Sequence, residues 1–97
     1  MIEVLTSSSF DAWFARLRDD EARDRILARI RRLGLGNAGD VKPIGEGLSE
    51  MRIDYGPGYR VYLMRRGLTV VVLLCAGDKR TQDNDIKEAK KIAAMWK

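Results

Sequence analysis

The chain has 97 residues, of which 45% are hydrophobic and 33% charged, and its net charge at pH 7 is +4. This length fits one domain with a single core, residues 1–97, and the composition is that of a folded rather than a disordered protein. The longest apolar run, Leu68 to Ala76, is far shorter than the roughly 20 residues that a membrane span requires. Met1 to Val4 lack the basic region and apolar core of a secretory signal, so we expect a cytoplasmic protein that does not associate with membranes.

Histidine is absent, and Cys75 is the single cysteine. Without histidine the chain cannot form a Ser–His or Cys–His pair or a Cys/His metal site, so we expect neither a metal nor a cofactor. Any catalysis would depend on Arg, Lys, Tyr, Asp or Glu. Because Cys75 lies inside the apolar run, we expect it to be a small buried hydrophobe rather than a reactive thiol.

The positive charge is concentrated in the second half of the chain. Residues 1–48 contain 8 Lys and Arg and 8 Asp and Glu, whereas residues 49–97 contain 10 and 6, so the whole excess of +4 lies there. A cationic surface attracts polyanions and releases their counterions. This charge distribution favours a nucleic acid or an acidic protein as partner.

The first third of the chain predicts one strand and two helices. Ile2 to Thr6 has the β-branched composition of a short strand, Ser8 is expected to cap the first helix, and Asp19 or Asp20 the second. Apolar residues at helical spacing mark the core face of each helix. They are Phe10, Trp13, Phe14 and Leu17 in the first helix, and Ala22, Ile26, Leu27, Ile30 and Leu33 in the second. The aromatic residues of the first helix could alternatively form a platform for stacking nucleic acid bases.

Arginines and glycines follow this second apolar face. Arg29, Arg31 and Arg32 have no acidic residue at helical spacing, which predicts a solvated helix surface, with phosphate or partner binding as the alternative. The segment from Gly34 to Gly39 matches G-x-G-x-x-G, but a dinucleotide site requires this motif to follow a strand and open a helix. Here it follows a helix, so we interpret it as helix termination and a flexible loop.

The stretch from Glu50 to Tyr62 predicts a β-hairpin around Gly56-Pro57-Gly58. If Tyr55 faces Tyr59 across the turn, Arg52 lies opposite Tyr62. One face then carries cations, a carboxylate and a phenol, and the other face is apolar and suited to the core. The first face comprises Glu50, Arg52, Arg60 and Tyr62, and the second Met51, Ile53, Val61 and Leu63.

The chain then turns at Arg66-Gly67 into a strand, Leu68 to Leu74, which is apolar on both faces and therefore expected to be central. A last helix from Asp85 to Trp96, capped by Asp83 or Asn84, packs through Ile86, Ala89, Ile92, Ala93 and Trp96. The order is strand, two helices, three antiparallel strands and helix (βααβββα). We therefore predict a small α+β domain with an antiparallel twisted sheet, an N-terminal helical hairpin and a C-terminal helix.

Several motifs in this order resemble a known family. They are Glu50-Met51-Arg52-Ile53, Gly56-Pro57-Gly58-Tyr59-Arg60-Val61-Tyr62, Leu73-Leu74, and Gly77-Asp78-Lys79-Arg80-Thr81-Gln82 with Asp85-Ile86 and Ala89. Further matches are Trp13 with Leu17, Ala22 to Gly36-Asn37, and Asp40-Val41-Lys42. Together they resemble the addiction-module killer proteins of the RelE/ParE toxin superfamily, in the HigB-like branch that includes phage-derived Gp49-like proteins.

This resemblance implies a RelE-like fold and the toxin of a type II toxin-antitoxin system. Such a toxin usually cuts mRNA in the ribosomal A site and is neutralised by a cognate antitoxin, here expected to be a small helix-turn-helix protein. Carried over by position, the working residues are Arg60 first, then Arg52, Lys79 and Arg80. Many ribosome-dependent relatives carry a tyrosine or histidine near the C-terminal end, whereas the last tyrosine of this chain is Tyr62.

Elementary chemistry assigns roles to these side chains. The planar, always protonated guanidinium of Arg60, aided by Arg52, matches two phosphoryl oxygens whose charge grows as RNA is cut. Glu50 or Tyr62 would accept the 2′-hydroxyl proton and Lys79 would protonate the leaving oxygen. Further RNA contacts are expected from Lys42, Tyr59, Arg65 and Arg66.

Alternatives to cleavage remain open from the sequence. Arg52 with Glu50, and Arg60 with Asp54, could be ion pairs on a solvated sheet face, or the arginines could dock an acidic segment of a partner protein. At the level of function, a ParE-like inhibitor of DNA gyrase and a non-catalytic binding module on the same fold are the alternatives to a ribosome-dependent endoribonuclease.

Overall fold

The computed structural model describes residues 1–96, which form a five-stranded sheet and three α-helices. The elements are β1 (Glu3–Thr6), α1 (Ser8–Arg16), α2 (Asp20–Gly34), β2 (Val41–Gly45), β3 (Leu48–Ile53), β4 (Tyr59–Arg66), β5 (Val70–Asp78), a 3-10 turn (Lys79–Thr81) and α3 (Gln82–Met95). The strand order is β1-β5-β4-β3-β2. The predicted α+β class is confirmed.

The sheet differs from the expected one in two respects. Strand β2 is not predicted by the sequence, because Pro43 and the terminal Gly45 interrupt the pattern of a half-buried strand. It is an edge strand, the place where a sheet tolerates a proline. In addition, β1 pairs with β5 in parallel, so the sheet is mixed rather than wholly antiparallel.

The sheet separates two apolar cores. Helices α1 and α2 cover one face with Phe10, Ile26 and Leu33, and α3 covers the other with Ala89 and Ile92. The predicted apolar faces of the helices are confirmed, except that Leu27 is 39% exposed. The aromatic residues of α1 pack inward: Phe10 is 4% exposed and its ring lies 5.9 Å from that of Phe14. They therefore belong to the core and do not form an exposed stacking platform.

Helix starts are set by side chains that bond free backbone N–H groups. At α1 this is Ser7 rather than the predicted Ser8: its Oγ accepts from Phe10 N at 3.1 Å and donates to the carbonyl of Leu74. Asp19 caps α2 as expected. The last helix begins at Gln82, before the predicted caps, because Asp78 caps the preceding 3-10 turn through Arg80 N at 2.9 Å.

The hairpin of β3 and β4 has a register shifted by two residues from the prediction. Arg52 pairs with Arg60 rather than Tyr62, and Ile53 pairs with Tyr59. The turn is wider than assumed because Tyr55 leaves the strand and its hydroxyl donates to Asp19 Oδ2 at 3.1 Å. A shift of two residues keeps every side chain on its predicted face, since side chains alternate along a strand.

Cys75 is buried, as predicted, and its thiol donates to the carbonyl of Asp85 at 3.4 Å. Burial raises the pKa of Cys75 to about 12.

A raised pKa keeps the thiol protonated at mildly alkaline pH, so we expect the folded protein to react with iodoacetamide about a thousandfold more slowly than the unfolded chain. Mass spectrometry of timed samples, with and without guanidinium chloride, measures both rates. Equal rates would contradict this prediction.

None of the helices within residues 1–96 is both long enough and apolar enough to cross a membrane.

Candidate functional site

An open groove of about 370 Å³ lies beside the N-terminal end of α3, on the side of the sheet that α3 covers. It brings together three of the predicted cationic residues, Arg52 of β3, Arg60 of β4 and Lys79 of the 3-10 turn. Its full lining is Asp40, Arg52, Ile53, Asp54, Gly56, Pro57, Gly58, Arg60 and Lys79. The groove is therefore mainly polar and cationic, with two carboxylates at its margin.

Strand pairing explains why these residues meet. Asp40 bonds Arg52 through the backbone, Arg52 pairs with Arg60, and Arg60 pairs with Gly77, so the four form one row across the sheet. A side chain at Gly77 would collide with the Asp85 carboxylate of α3. The glycine thus allows the first turn of α3 to pack against the end of this row. Arg52 and Arg60, the next residues in the row, line the groove beside the helix.

Arg60 lies against a buried carboxylate. Its Nε is 3.4 Å from Glu50 Oε1, close enough for an ion pair but without the geometry of a hydrogen bond. The two side chains are 14% and 2% exposed. Gln82 of α3 donates to Glu50 Oε2 at 2.7 Å. Glu50 is therefore held beneath Arg60 and α3, where it fixes the arginine and does not reach a ligand in the groove.

Arg52 forms a second, more open ion pair. Its Nη2 and Nε lie 2.9 and 3.3 Å from Oδ1 of Asp40. The hydrogen bond from Arg52 lowers the pKa of Asp40, and the same bond raises that of Arg52. Both arginines are thus paired, but with Asp40 and Glu50 rather than with the partners considered from the sequence. The Arg52 side chain is 39% exposed and can still present donors to the groove.

The structure corrects the expectation that the whole polar face of the hairpin is open. Helix α3 covers its middle, so Tyr62 and Glu50 are both buried. The Tyr62 hydroxyl has no hydrogen-bond partner within residues 1–96, and burial raises its pKa, which keeps the phenol protonated. Neither group faces the groove as the proton acceptor that we expected.

We predict that Tyr62→Phe does not change the rate of RNA cleavage, the activity that the resemblance implies. The free energy of unfolding should be unchanged or higher. Removing a buried hydroxyl that lacks a partner within the described residues relieves an uncompensated polar group. Chemical denaturation and the activity assay proposed below measure the two effects. A loss of activity in a stable Tyr62→Phe protein would restore the phenol to the mechanism.

The remaining predicted residues lie outside the groove. Arg80 is bonded to Asp78 at 2.8 Å, and Lys42 is exposed on edge strand β2. Tyr59 is on the opposite face of the sheet, with its ring 5.9 Å from that of Trp13. Arg65 and Arg66 are exposed at the far end of β4. The structure therefore gathers Arg52, Arg60 and Lys79 but not these five.

Sequence reasoning identified Glu50 but did not assign Asp40, Asp54 or Gln82 to the site. Asp40 immediately precedes the unpredicted strand β2, and the pairing of β2 with β3 brings it beside Arg52, so no local pattern predicts this bond. Asp54 lines the groove at the end of β3. Gln82 ends the motif that begins at Gly77, but its bond to Glu50 depends on α3 beginning at this residue, which the sequence does not predict.

The chemistry of the groove suits a phosphate-bearing ligand. Guanidinium groups offer paired donors to phosphoryl oxygens, and an ammonium adds a mobile positive charge. Within residues 1–96, no group of three or more acidic or cysteine side chains is arranged to hold a metal ion.

Comparison with known proteins identifies the family. The model of the family "Phage derived protein Gp49-like (DUF891)" matches residues 12–97. The chain is also similar to an uncharacterized protein of Haemophilus influenzae, with 50% identity over 92 residues that cover 95% of this chain and 93% of the relative. The chain therefore belongs to the Gp49-like family of phage-derived proteins.

Proposed function

We propose that this protein is the toxin of a type II toxin-antitoxin system and that it cleaves mRNA on the ribosome. The observation that carries the proposal is the convergence of Arg52, Arg60 and Lys79 on one open groove. Membership of the Gp49-like family, a RelE-like toxin family, supports the toxin assignment. The HigB-like character and the endoribonuclease activity are part of the proposal.

The proposed reaction is attack of a ribose 2′-hydroxyl on the adjacent phosphate. The 2′-oxygen to phosphorus bond forms as the bond from phosphorus to the 5′-oxygen breaks, leaving a 2′,3′-cyclic phosphate and a 5′-hydroxyl. Arg60 and Arg52 bind the phosphoryl oxygens as negative charge develops on them. Lys79, exposed at the groove, gives a proton to the leaving 5′-oxygen.

Two carboxylates have different roles in this scheme. Glu50 is buried beneath Arg60 and positions it, so it does not take up the 2′-hydroxyl proton. Asp54 is exposed, lines the groove and forms no ion pair within residues 1–96. We assign Asp54 as the acceptor of that proton, because it lines the groove and, unlike Asp40, is not bonded to an arginine within residues 1–96.

The partners and the cellular setting of the protein follow from this assignment. Ribosome-bound mRNA is the substrate, and the protein acts in the cytoplasm. A cognate antitoxin, expected to be a small helix-turn-helix protein, neutralises it. A cationic groove suits an acidic segment of such a protein, since complementary charge steers and orients association.

Brief induction of the chain without a partner, followed by mapping of mRNA 5′ ends, tests the proposal. We expect growth arrest with new ends at a fixed place within translated codons, and neither effect from an Asp54→Asn/Arg60→Lys variant. Arrest with intact mRNA and broken DNA would replace the proposal with gyrase inhibition. Absence of arrest would replace it with a non-catalytic binding module.

A further inference from the structure

Arg29 of α2 reaches across to the backbone beneath the groove. Its Nη1 donates to the carbonyl of Arg52 at 2.5 Å, and its Nη2 donates to the carbonyls of Ala38 and Asp40 at 3.2 and 3.3 Å. The sequence predicted a solvated side chain at this position. Instead the guanidinium links the α2–β2 loop to β3 through backbone carbonyls. Such contacts cannot be predicted from the spacing of charged residues along the helix.

The loop is shaped for this contact. Gly39 has a φ of +69°, and a Cβ there would lie about 3.0 Å from Arg29 Nη2. A side chain at this position would be strained by its backbone conformation and would crowd the guanidinium. The glycine thus permits the close approach through which Arg29 holds Ala38 and Asp40.

Arg29 bonds Asp40, and Asp40 orients the side chain of Arg52. The carbonyl of Asp40 is bonded both by Arg29 Nη2 and by Arg52 N, the latter at 2.9 Å, and the Asp40 carboxylate accepts two hydrogen bonds from the Arg52 guanidinium. Arg29 therefore holds the backbone of both Arg52 and Asp40, and the Asp40 carboxylate in turn holds the guanidinium of Arg52.

We propose that Arg29 is a positioning residue that, through Asp40, fixes the guanidinium of Arg52 for binding a phosphate in the groove. This role rests on the proposed function only in naming RNA as the natural source of the phosphate. Arg29 does not itself line the groove. A preset guanidinium binds a phosphoryl group with less loss of side-chain freedom than a mobile one.

Arg29→Lys tests the role without removing charge, because an ammonium on a flexible stem cannot span three carbonyls as the planar guanidinium does. Arg31→Lys on the exposed surface of the same helix is the matched control. Asp40→Ala tests the next link, because it removes the oxygen that accepts both hydrogen bonds from the Arg52 guanidinium. This substitution also distinguishes electrostatics from positioning. Removing the acidic charge should strengthen phosphate binding if only electrostatics matters, but weaken it if Asp40 positions Arg52.

The first measurement uses no ligand: heteronuclear NMR of the Nε–H signal of Arg52 and of its exchange with water. We expect a sharp, slowly exchanging signal in the native protein and in Arg31→Lys, and a fast-exchanging one in Arg29→Lys and Asp40→Ala. Titration with inorganic phosphate should then give a Kd raised about tenfold in both variants, the factor for loss of one charge-assisted hydrogen bond.

The outcomes separate this inference from the proposed function. An Arg52 signal and a phosphate Kd in Arg29→Lys equal to those of the native protein would overturn the positioning role, even if mRNA is cleaved. If both change as expected while mRNA stays intact, the positioning role holds and the nuclease proposal fails. Thermal unfolding of each variant establishes that the comparison is made between folded proteins.

Discussion

Arg60→Lys is expected to lower the rate of mRNA cleavage by about a hundredfold while the protein stays folded. Lysine keeps a positive charge over buried Glu50, so the ion pair is retained. It loses the planar pair of donors that grips two phosphoryl oxygens, and removal of one preorganised donor at a reacting centre typically costs about a hundredfold or more in rate. Single-turnover cleavage of mRNA on stalled ribosomes measures the effect.

The matched control for this experiment is again Arg31→Lys, the same substitution on the exposed surface of α2, outside the groove. Its cleavage rate should equal that of the native protein. Equal rates for Arg60→Lys and Arg31→Lys would remove Arg60 from the reaction and leave its pairing with Glu50 as a structural contact.

Arg60→Met is expected to lower the free energy of unfolding by about 3 kcal/mol, the lower end of the range for breaking a buried ion pair by removing one partner. The carboxylate of Glu50 is 2% exposed, and without Arg60 it keeps only the hydrogen bond from Gln82. Methionine fills most of the volume of the lost side chain, so the effect arises from charge rather than from a cavity. Denaturant unfolding of both proteins gives the difference.

A second substitution separates charge from packing in this prediction. Glu50→Gln in the Arg60→Met background removes the uncompensated charge and preserves a polar group for Gln82, so the double variant should regain at least about half of the lost stability. If it regains none, the destabilisation comes from packing and the buried pair is not the reason that Arg60 stays in place.

The fold could be predicted where local pattern decides it. Helical spacing of apolar residues located α1, α2 and α3, and alternation placed each hairpin residue on its observed face. Pairing of distant segments could not be predicted, because the parallel contact of β1 with β5 and the edge strand β2 depend on the whole chain. Pro43 in particular lowers the strand propensity of β2, so the segment is not recognised as a strand from its composition.

The site could be predicted only in part for the same reason. Arg52 and Arg60 lie on one hairpin, so their shared face follows from alternation alone. The burial of Tyr62 and Glu50 depends on where α3 crosses the sheet. The capping pattern predicted that α3 starts at Asp85, whereas it starts at Gln82. Arg29 and Asp40 join the site through tertiary hydrogen bonds that leave no periodic signal in the sequence.

The most direct test of the account uses purified ribosomes stalled on a labelled mRNA with a defined codon in the A site. Addition of the purified protein should yield a single cut within that codon, with a 5′-hydroxyl on the downstream fragment, and no cut in the same mRNA free of ribosomes. An intact mRNA on the ribosome, with a protein shown by its thermal unfolding to be folded, would contradict the assignment of this groove to RNA cleavage.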